Sequence, residues 1–217
     1  MLVRPITAER LLADIADRIS SDASARADRA TVIIDGAEAL HPDEWAAALA
    51  RTLRDRGRFA LAIATEDFLL PTSQRYEFGR TSPESFYEGW RDEKGLVREV
   101  FGPLAPGGTG RVLPALWRRD VDRSARADYV QVPAGGVVVV GGQFLLGGGH
   151  SSVGGGFAGD VTVHLVASVR SLARRTPADR AWTLPAYERY ASEVAPETFA
   201  DMVVRLEDPR HPALVEP

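Results

Sequence analysis

Short apolar runs, too brief for helices and separated by stretches of helical periodicity, limit what this chain can fold into. The first, Thr31-Val32-Ile33-Ile34, is β-branched and too apolar for a strand with one wet face. Phe59 to Ala64, Val137 to Val140, Val161 to Val166 and Met202 to Leu206 repeat the signal. Between them lie amphipathic segments. Pro42 to Arg56 has proline in its first turn, Asp43 and Glu44 at the positive end of the dipole, Trp45, Leu49 and Leu53 on one face, and Gly57 beyond its end. Ser168 to Arg175 and Leu184 to Val194 read as helices, and a further helix is expected near Glu84 to Val100. Thr7 can cap an opening helix in which Leu11, Ile15 and Ile19 recur. Strands alternating with helices predict right-handed βαβ units, hence an α/β fold with a doubly wound, mainly parallel sheet of about five strands. Arg111 to Trp117 and Tyr129 to Val132 predict a small antiparallel excursion.

The length of 217 residues fits one domain, with an N-terminal helix and linker over 1–29 and the core over 30–217. Arg4, Glu9, Arg10 and Asp14 interrupt the opening residues, so neither a secretory signal nor a membrane span is expected, and the location is read as cytoplasmic. No cysteine is present, which removes thiolate nucleophiles, disulfides and Cys-ligated metals. A net charge of −4 argues against nucleic acid as a partner. A small molecule is expected instead, and the sequence is compatible with a homo-oligomer. Lys94 is the sole lysine among 26 Lys and Arg residues, so any chemistry needing an ammonium uses Lys94 or none. Its distance in sequence from the first strand gives no reason to place it on phosphates.

In such sheets, ligands bind beyond the carboxyl ends of the strands. After the first strand comes Asp35-Gly36. A phosphate-binding loop would continue Gly-x4-Gly-Lys-Ser/Thr, with amides cradling phosphate, lysine neutralising it and the hydroxyl on magnesium. Counting from Gly36, those last three places hold His41, Pro42 and Asp43. The spacing survives without the chemistry, and an ordinary strand-to-helix turn fits the same residues. After the second strand, Glu66-Asp67 places a carboxylate where it could take a proton from a hydroxyl. The stretch Arg75-Tyr76 through Arg80 to Phe86-Tyr87 and Trp90 interleaves arginines with aromatics that can stack a base or pair with phosphate, although such clusters also build cores. Gly79-Arg80-Thr81 lacks the upstream strand and glycine of a phosphate loop and is read as coincidence. His41, His150, His164 and His211 lack metal-ligand spacing. Gly147 to Phe157 is a glycine-rich insertion.

The ordered set Ile33-Ile34-Asp35-Gly36, Thr65-Glu66-Asp67-Phe68, Arg75-Tyr76 through Gly79-Arg80-Thr81-Ser82-Pro83-Glu84-Ser85-Phe86-Tyr87, Pro103 to Gly108 and Asp201-Met202-Val203-Val204 resembles the uridine kinase family, in its actinobacterial-type members. The resemblance spans roughly residues 30 to 215. It implies a P-loop kinase-like fold with a helical lid, transferring the γ-phosphate of ATP, with Mg2+, to a nucleoside such as uridine or cytidine. Asp67 matches the family's catalytic acid. Gly36, His41 and Asp43 fall on the nucleotide loop, and Arg170, Arg174, Arg175 and Arg180 on the lid that closes over phosphates. Glu66, Phe68, Arg75, Tyr76, Arg80, Phe86 and Tyr87 fall on the acceptor side. Two departures stand out: His41-Pro42-Asp43 for Gly-Lys-Ser/Thr, and Gly141-Gly142 where the family has an acid before glycine. Loss of both supports slows phosphoryl transfer roughly a thousandfold or more unless arginines compensate. The rival expectation is a non-catalytic pseudokinase that keeps the fold to sense a ligand or bind a partner.

Overall fold

The computed structural model describes residues 2–21, 28–147, 157 and 159–216. Its centre is β2 (Ala30–Gly36), buried along its whole length. Side chains on a strand alternate between faces. Val32 and Ile34 pack on one side with α1 (Ala8–Ser21) and α2 (Pro42–Asp55), whereas Ile33 packs on the other with Phe68, Leu96, Val138 and Val140. The two-sided cover explains why the strand sequence is continuously apolar.

Parallel neighbours flank β2: β4 (Val137–Gly142) on one side, then β3 (Ala60–Ala64), and β5 (Val161–Val166) on the other, then β6 (Met202–Arg205). From β2 the chain crosses to β3 on one side and later to β5 on the other, so the winding reverses at the carboxyl end of β2. That reversal opens the crevice where a ligand can sit.

The sheet has seven strands rather than the expected five. β7 (Ala213–Glu216) adds antiparallel to β6, and β1 (Leu2–Pro5) pairs antiparallel with β7. Four-residue strands at an edge carry too little periodicity to be read from sequence. Thr7 caps α1 as expected, its hydroxyl accepting the Arg10 amide at 3.1 Å. The helix expected near Glu84 to Val100 is two pieces. α3 (Pro83–Gly89) stops where Trp90 to Asp92 pairs with the chain after β3: Leu70 N donates to Trp90 O at 2.8 Å and Asp92 N to Phe68 O at 2.7 Å. Asp92 then caps Gly95 N at 2.8 Å and starts a new helix, Glu93–Leu96, which runs through a π-turn into Gly102–Leu104. The antiparallel excursion is present: Arg111–Val112 pairs with Val130–Gln131, and Trp117–Arg118 with Arg123–Ser124. α4 (Val169–Arg175) and α5 (Leu184–Glu193) complete the layer beside β5. Apart from Gly147 and Phe157, the glycine-rich insertion lies outside the described residues. Among the described residues no helix is long and apolar enough to cross a membrane.

Candidate active site

The loop after β2 is built on a buried carboxylate. Asp35 has no solvent exposure; it accepts Leu145 N at 2.8 Å and meets His164 Nδ1 at 2.7 Å and the Tyr190 hydroxyl at 3.1 Å. Burial, then the Asp35 charge, raises the Tyr190 pKa, so the phenol stays neutral. It shares its proton between Asp35 and Leu146 O while accepting Leu146 N at 2.9 Å. Asp35 is thereby a strut joining β2, β5, α5 and the turn after β4. Gly36 owes its lack of a side chain to β5: a Cβ there would stand 2.9 Å from Leu165 Cβ and 3.1 Å from Leu165 O.

Beyond Gly36 the chain does not open into a phosphate cradle. Glu38–Leu40 coils into a 3-10 turn in which Leu40 N donates to Ala37 O at 2.8 Å and His41 N to Glu38 O at 3.0 Å. Two amides at the centre of the loop are thus spent on the loop itself. Glu38 N donates to the Tyr187 hydroxyl at 3.1 Å, and that hydroxyl donates to Gln143 Oε1 at 2.5 Å. Burial raises the Tyr187 pKa and keeps it a donor at neutral pH. His41 adopts the left-handed conformation, φ 55°, and stays exposed, its Nδ1 3.5 Å from Glu44. Asp43 is exposed on the first turn of α2.

The Glu38 side chain turns into this region and gathers two arginines. Arg180 Nη2 donates to Glu38 Oε2 at 2.5 Å, and Arg119 Nη1 lies 3.7 Å from Glu38 Oε1 and 2.7 Å from Glu66 Oε2. Arg180 is set by aromatics, its guanidinium 5.4 Å from the Phe86 ring centre, 5.3 Å from Trp182 and 5.8 Å from Trp90. Of the arginines read as lid residues, Arg180 reaches the loop. Arg170 is exposed on α4, and Arg174 lies 3.5 Å from Ser171 Oγ. Arg175 donates to Leu206 O at 2.7 Å and borders, with His41 and Glu44, a hollow on the loop's outer side.

Opposite stands the end of β3. Thr65–Phe68 forms a 3-10 turn, and Asp67 is half-buried there. Burial first, then the charges of Glu66 and Asp43, raise its pKa. A carboxyl pushed up in this way is poised to hold a proton. Beside it a narrow cleft is lined by Glu66, Leu69, Phe86, Tyr87, Trp90 and Gln143. Trp90 Nε1, Arg91 Nε and Arg180 Nε are buried donors with no partner among the described residues.

The expected acceptor-side residues separate accordingly. Glu66, Phe86 and Tyr87 border the cleft. Phe68 is fully buried in the core on the far face of β2. Arg75 is 3% exposed; it donates to Leu70 O at 2.7 Å and Thr72 Oγ1 at 2.9 Å, holding the chain that carries the cleft. Arg80 stacks over the exposed side of Tyr76, 5.6 Å from its ring centre. Sequence reasoning missed Glu38, Arg119, Gln143 and Tyr187. Arg119 reaches Glu66 across 53 positions through the Trp117–Arg118 ladder, and no local pattern signals that.

The two glycines that end β4 have a steric cause. A Cβ at Gly141 would lie 2.5 Å from Pro42 O and 2.8 Å from Asp43 Cα; one at Gly142 would lie 1.9 Å from Thr65 Oγ1. The first turn of α2 and the turn after β3 fill the space that an acidic side chain would need. Among the described residues no three His, Asp or Glu side chains are grouped to hold a metal. The position that the resemblance gives to a metal-ordering acid is thus closed at Gly141 by the packing of α2.

The chain superposes on a possible uridine kinase from Bacillus stearothermophilus with a TM-score of 0.69 at 19% identity, covering 90% of this chain and 97% of that one. The P-loop kinase fold is therefore established. A protein named provisionally as a fructose transport system kinase from Silicibacter sp. TM1040 follows at 0.57 and 20%, covering 90% of each chain, and phosphoribulokinase from Rhodobacter spheroides at 0.52 and 15%, covering 83% of this chain and 70% of that one. No family model and no curated protein matches by sequence. In the strand order β3-β4-β2-β5-β6, the Gly36 to Asp43 turn leaves the carboxyl end of the central strand.

Proposed function

We propose that this protein is a phosphotransferase that moves the γ-phosphoryl group of ATP to the hydroxyl of a small acceptor, a nucleoside such as uridine or cytidine. The observation that carries the reading is Asp67, a half-buried carboxyl with a raised pKa in the turn after β3, whose neighbour Glu66 lines a narrow cleft. Phosphoryl transfer to an alcohol asks the protein chiefly for positioning, charge stabilisation and a carboxylate to accept the hydroxyl proton. Asp67 takes that proton. Glu66, at the rim of the cleft, can accept from hydroxyls of the acceptor. Arg180 and Arg119 replace the lysine: guanidinium forks hold phosphate oxygens and counter the charge that builds in transfer. The kinase-fold neighbours support the reaction class by fold, and the ordered segments resembling uridine kinases support the acceptor class. A coupled assay with Mg-ATP and uridine or cytidine, run in parallel on Asp67→Asn, tests the reading; turnover unchanged in the variant would refute it.

A second reading has its own observation. The self-bonded Glu38–Leu40 turn and the filled space around Gly141 favour a pseudokinase that retains the crevice for ligand sensing. Thermal melting with and without millimolar Mg-ATP and uridine, read beside the transfer assay, separates the two: a ligand that raises the melting temperature without transfer is the pseudokinase outcome.

A further inference from the structure

We propose that Arg119 and Arg180 form an anion site for phosphoryl groups which the protein fills with its own Glu38 carboxylate, so that a phosphate-bearing ligand must displace Glu38 to bind. The inference rests on the reading above that phosphate enters at this end of the sheet, and it deepens it by assigning the residues that hold and guard that position. Two guanidinium groups from distant segments, one in the antiparallel excursion and one in the turn before α5, converge on one carboxylate of the loop. Nothing in the local fold of Glu38 demands a carboxylate. Its backbone amide is already held by Tyr187, and its carbonyl by His41 N. The Arg180 Nε is a buried donor without a partner among the described residues, so the fork has capacity that one carboxylate leaves unused. A phosphoryl group brings three acceptor oxygens to the same fork.

Charge explains the guarding. Arg119 and Arg180 are balanced by Glu38 and Glu66, and Asp67 and Asp43 add further negative charge nearby. An arriving phosphate meets a neutral or negative field while Glu38 is in place. Once Glu38 swings away, the three charged groups left at the fork, Arg119, Arg180 and Glu66, carry a net positive charge. Its side chain is 37% exposed, so solvent is an open destination. A site blocked by an internal competitor binds with an apparent affinity reduced by the fraction of molecules in which it is open.

The test is isothermal titration of the full chain with inorganic pyrophosphate, without metal or acceptor. Glu38→Gln keeps the shape and removes the competing charge; it should tighten pyrophosphate binding by about tenfold or more. Adding Arg119→Gln to Glu38→Gln should abolish that gain. Arg119 is preferred to Arg180 for this step because Arg180 packs on aromatics and its loss can unsettle the fold; melting curves of each variant check that all remain folded. Pyrophosphate bound no tighter by folded Glu38→Gln, or a gain that survives removal of Arg119, overturns the proposal. The assay reads no phosphoryl transfer. Tightened pyrophosphate binding with no turnover on any nucleoside leaves the site standing and removes the kinase reading, whereas turnover without tightening does the reverse.

Discussion

Asp67 shows how one residue ties stability to chemistry. Its folded pKa is raised, by burial first and then by Glu66 and Asp43, so the fold favours the protonated carboxyl. The stability this contributes is fully present below the ordinary carboxylate pKa and is lost as pH rises through the raised value. Asp67→Asn carries no such loss. The variant should therefore melt above the parent at neutral pH, with the difference shrinking on acidification, while transfer activity disappears; melting curves from pH 4 to pH 8 measure it. A variant that melts lower at every pH would contradict the shift. Gly141 makes the opposite kind of prediction. Gly141→Ala puts a methyl 2.5 Å from Pro42 O and 2.8 Å from Ala46 Cβ. Overpacking of this kind costs about 1–3 kcal/mol, read as a lower denaturant midpoint at unchanged slope. Restoring an acid there, as Gly141→Asp, should destabilise further instead of creating a metal ligand.

At the scale of elements, the buried parallel strands and the helices facing them were legible because their periods are unambiguous. The run Thr31 to Ile34 could only be a strand covered on both sides, and the four-residue spacing of Leu11, Ile15 and Ile19 could only be one helix face. What escaped was decided by tertiary pairing. The split after Gly89 depends on Trp90 and Asp92 bonding to Leu70 and Phe68, and the edge strand β1 and its neighbour β7 exist only through each other and β6. The aromatic segment was legible as a cluster, but its division into core and cleft was not. Phe68 and Arg75 are structural, whereas Phe86 reaches the cleft rim. Arg75→Met, which leaves the Leu70 carbonyl without its buried donor, should cost about 2–3 kcal/mol by chemical denaturation. Arg80→Ala, at an exposed side chain, should stay within about 0.5 kcal/mol of the parent. Equal costs for the two would mean that Arg75 does not hold the segment.

For the molecule as a whole, the sheet order places three kinds of group around one crevice: the Asp67 carboxyl from β3, the Glu38 loop from β2, and the arginines of the excursion and of the turn before α5. The loop after β2 has neither the lysine nor the hydroxyl of a phosphate loop and bonds its central amides within itself, and the glycines that end β4 leave room for the first turn of α2 and the turn after β3. On the proposed function, guanidinium groups grip the phosphate and Asp67 takes the acceptor proton. The direct measurement is isothermal titration with Mg-ATP joined to a coupled transfer assay on uridine and cytidine, for the parent and for Asp67→Asn. The account predicts binding in both proteins, with transfer in the parent alone. Transfer that persists in Asp67→Asn, or a parent that binds ATP yet transfers to neither nucleoside, would contradict it.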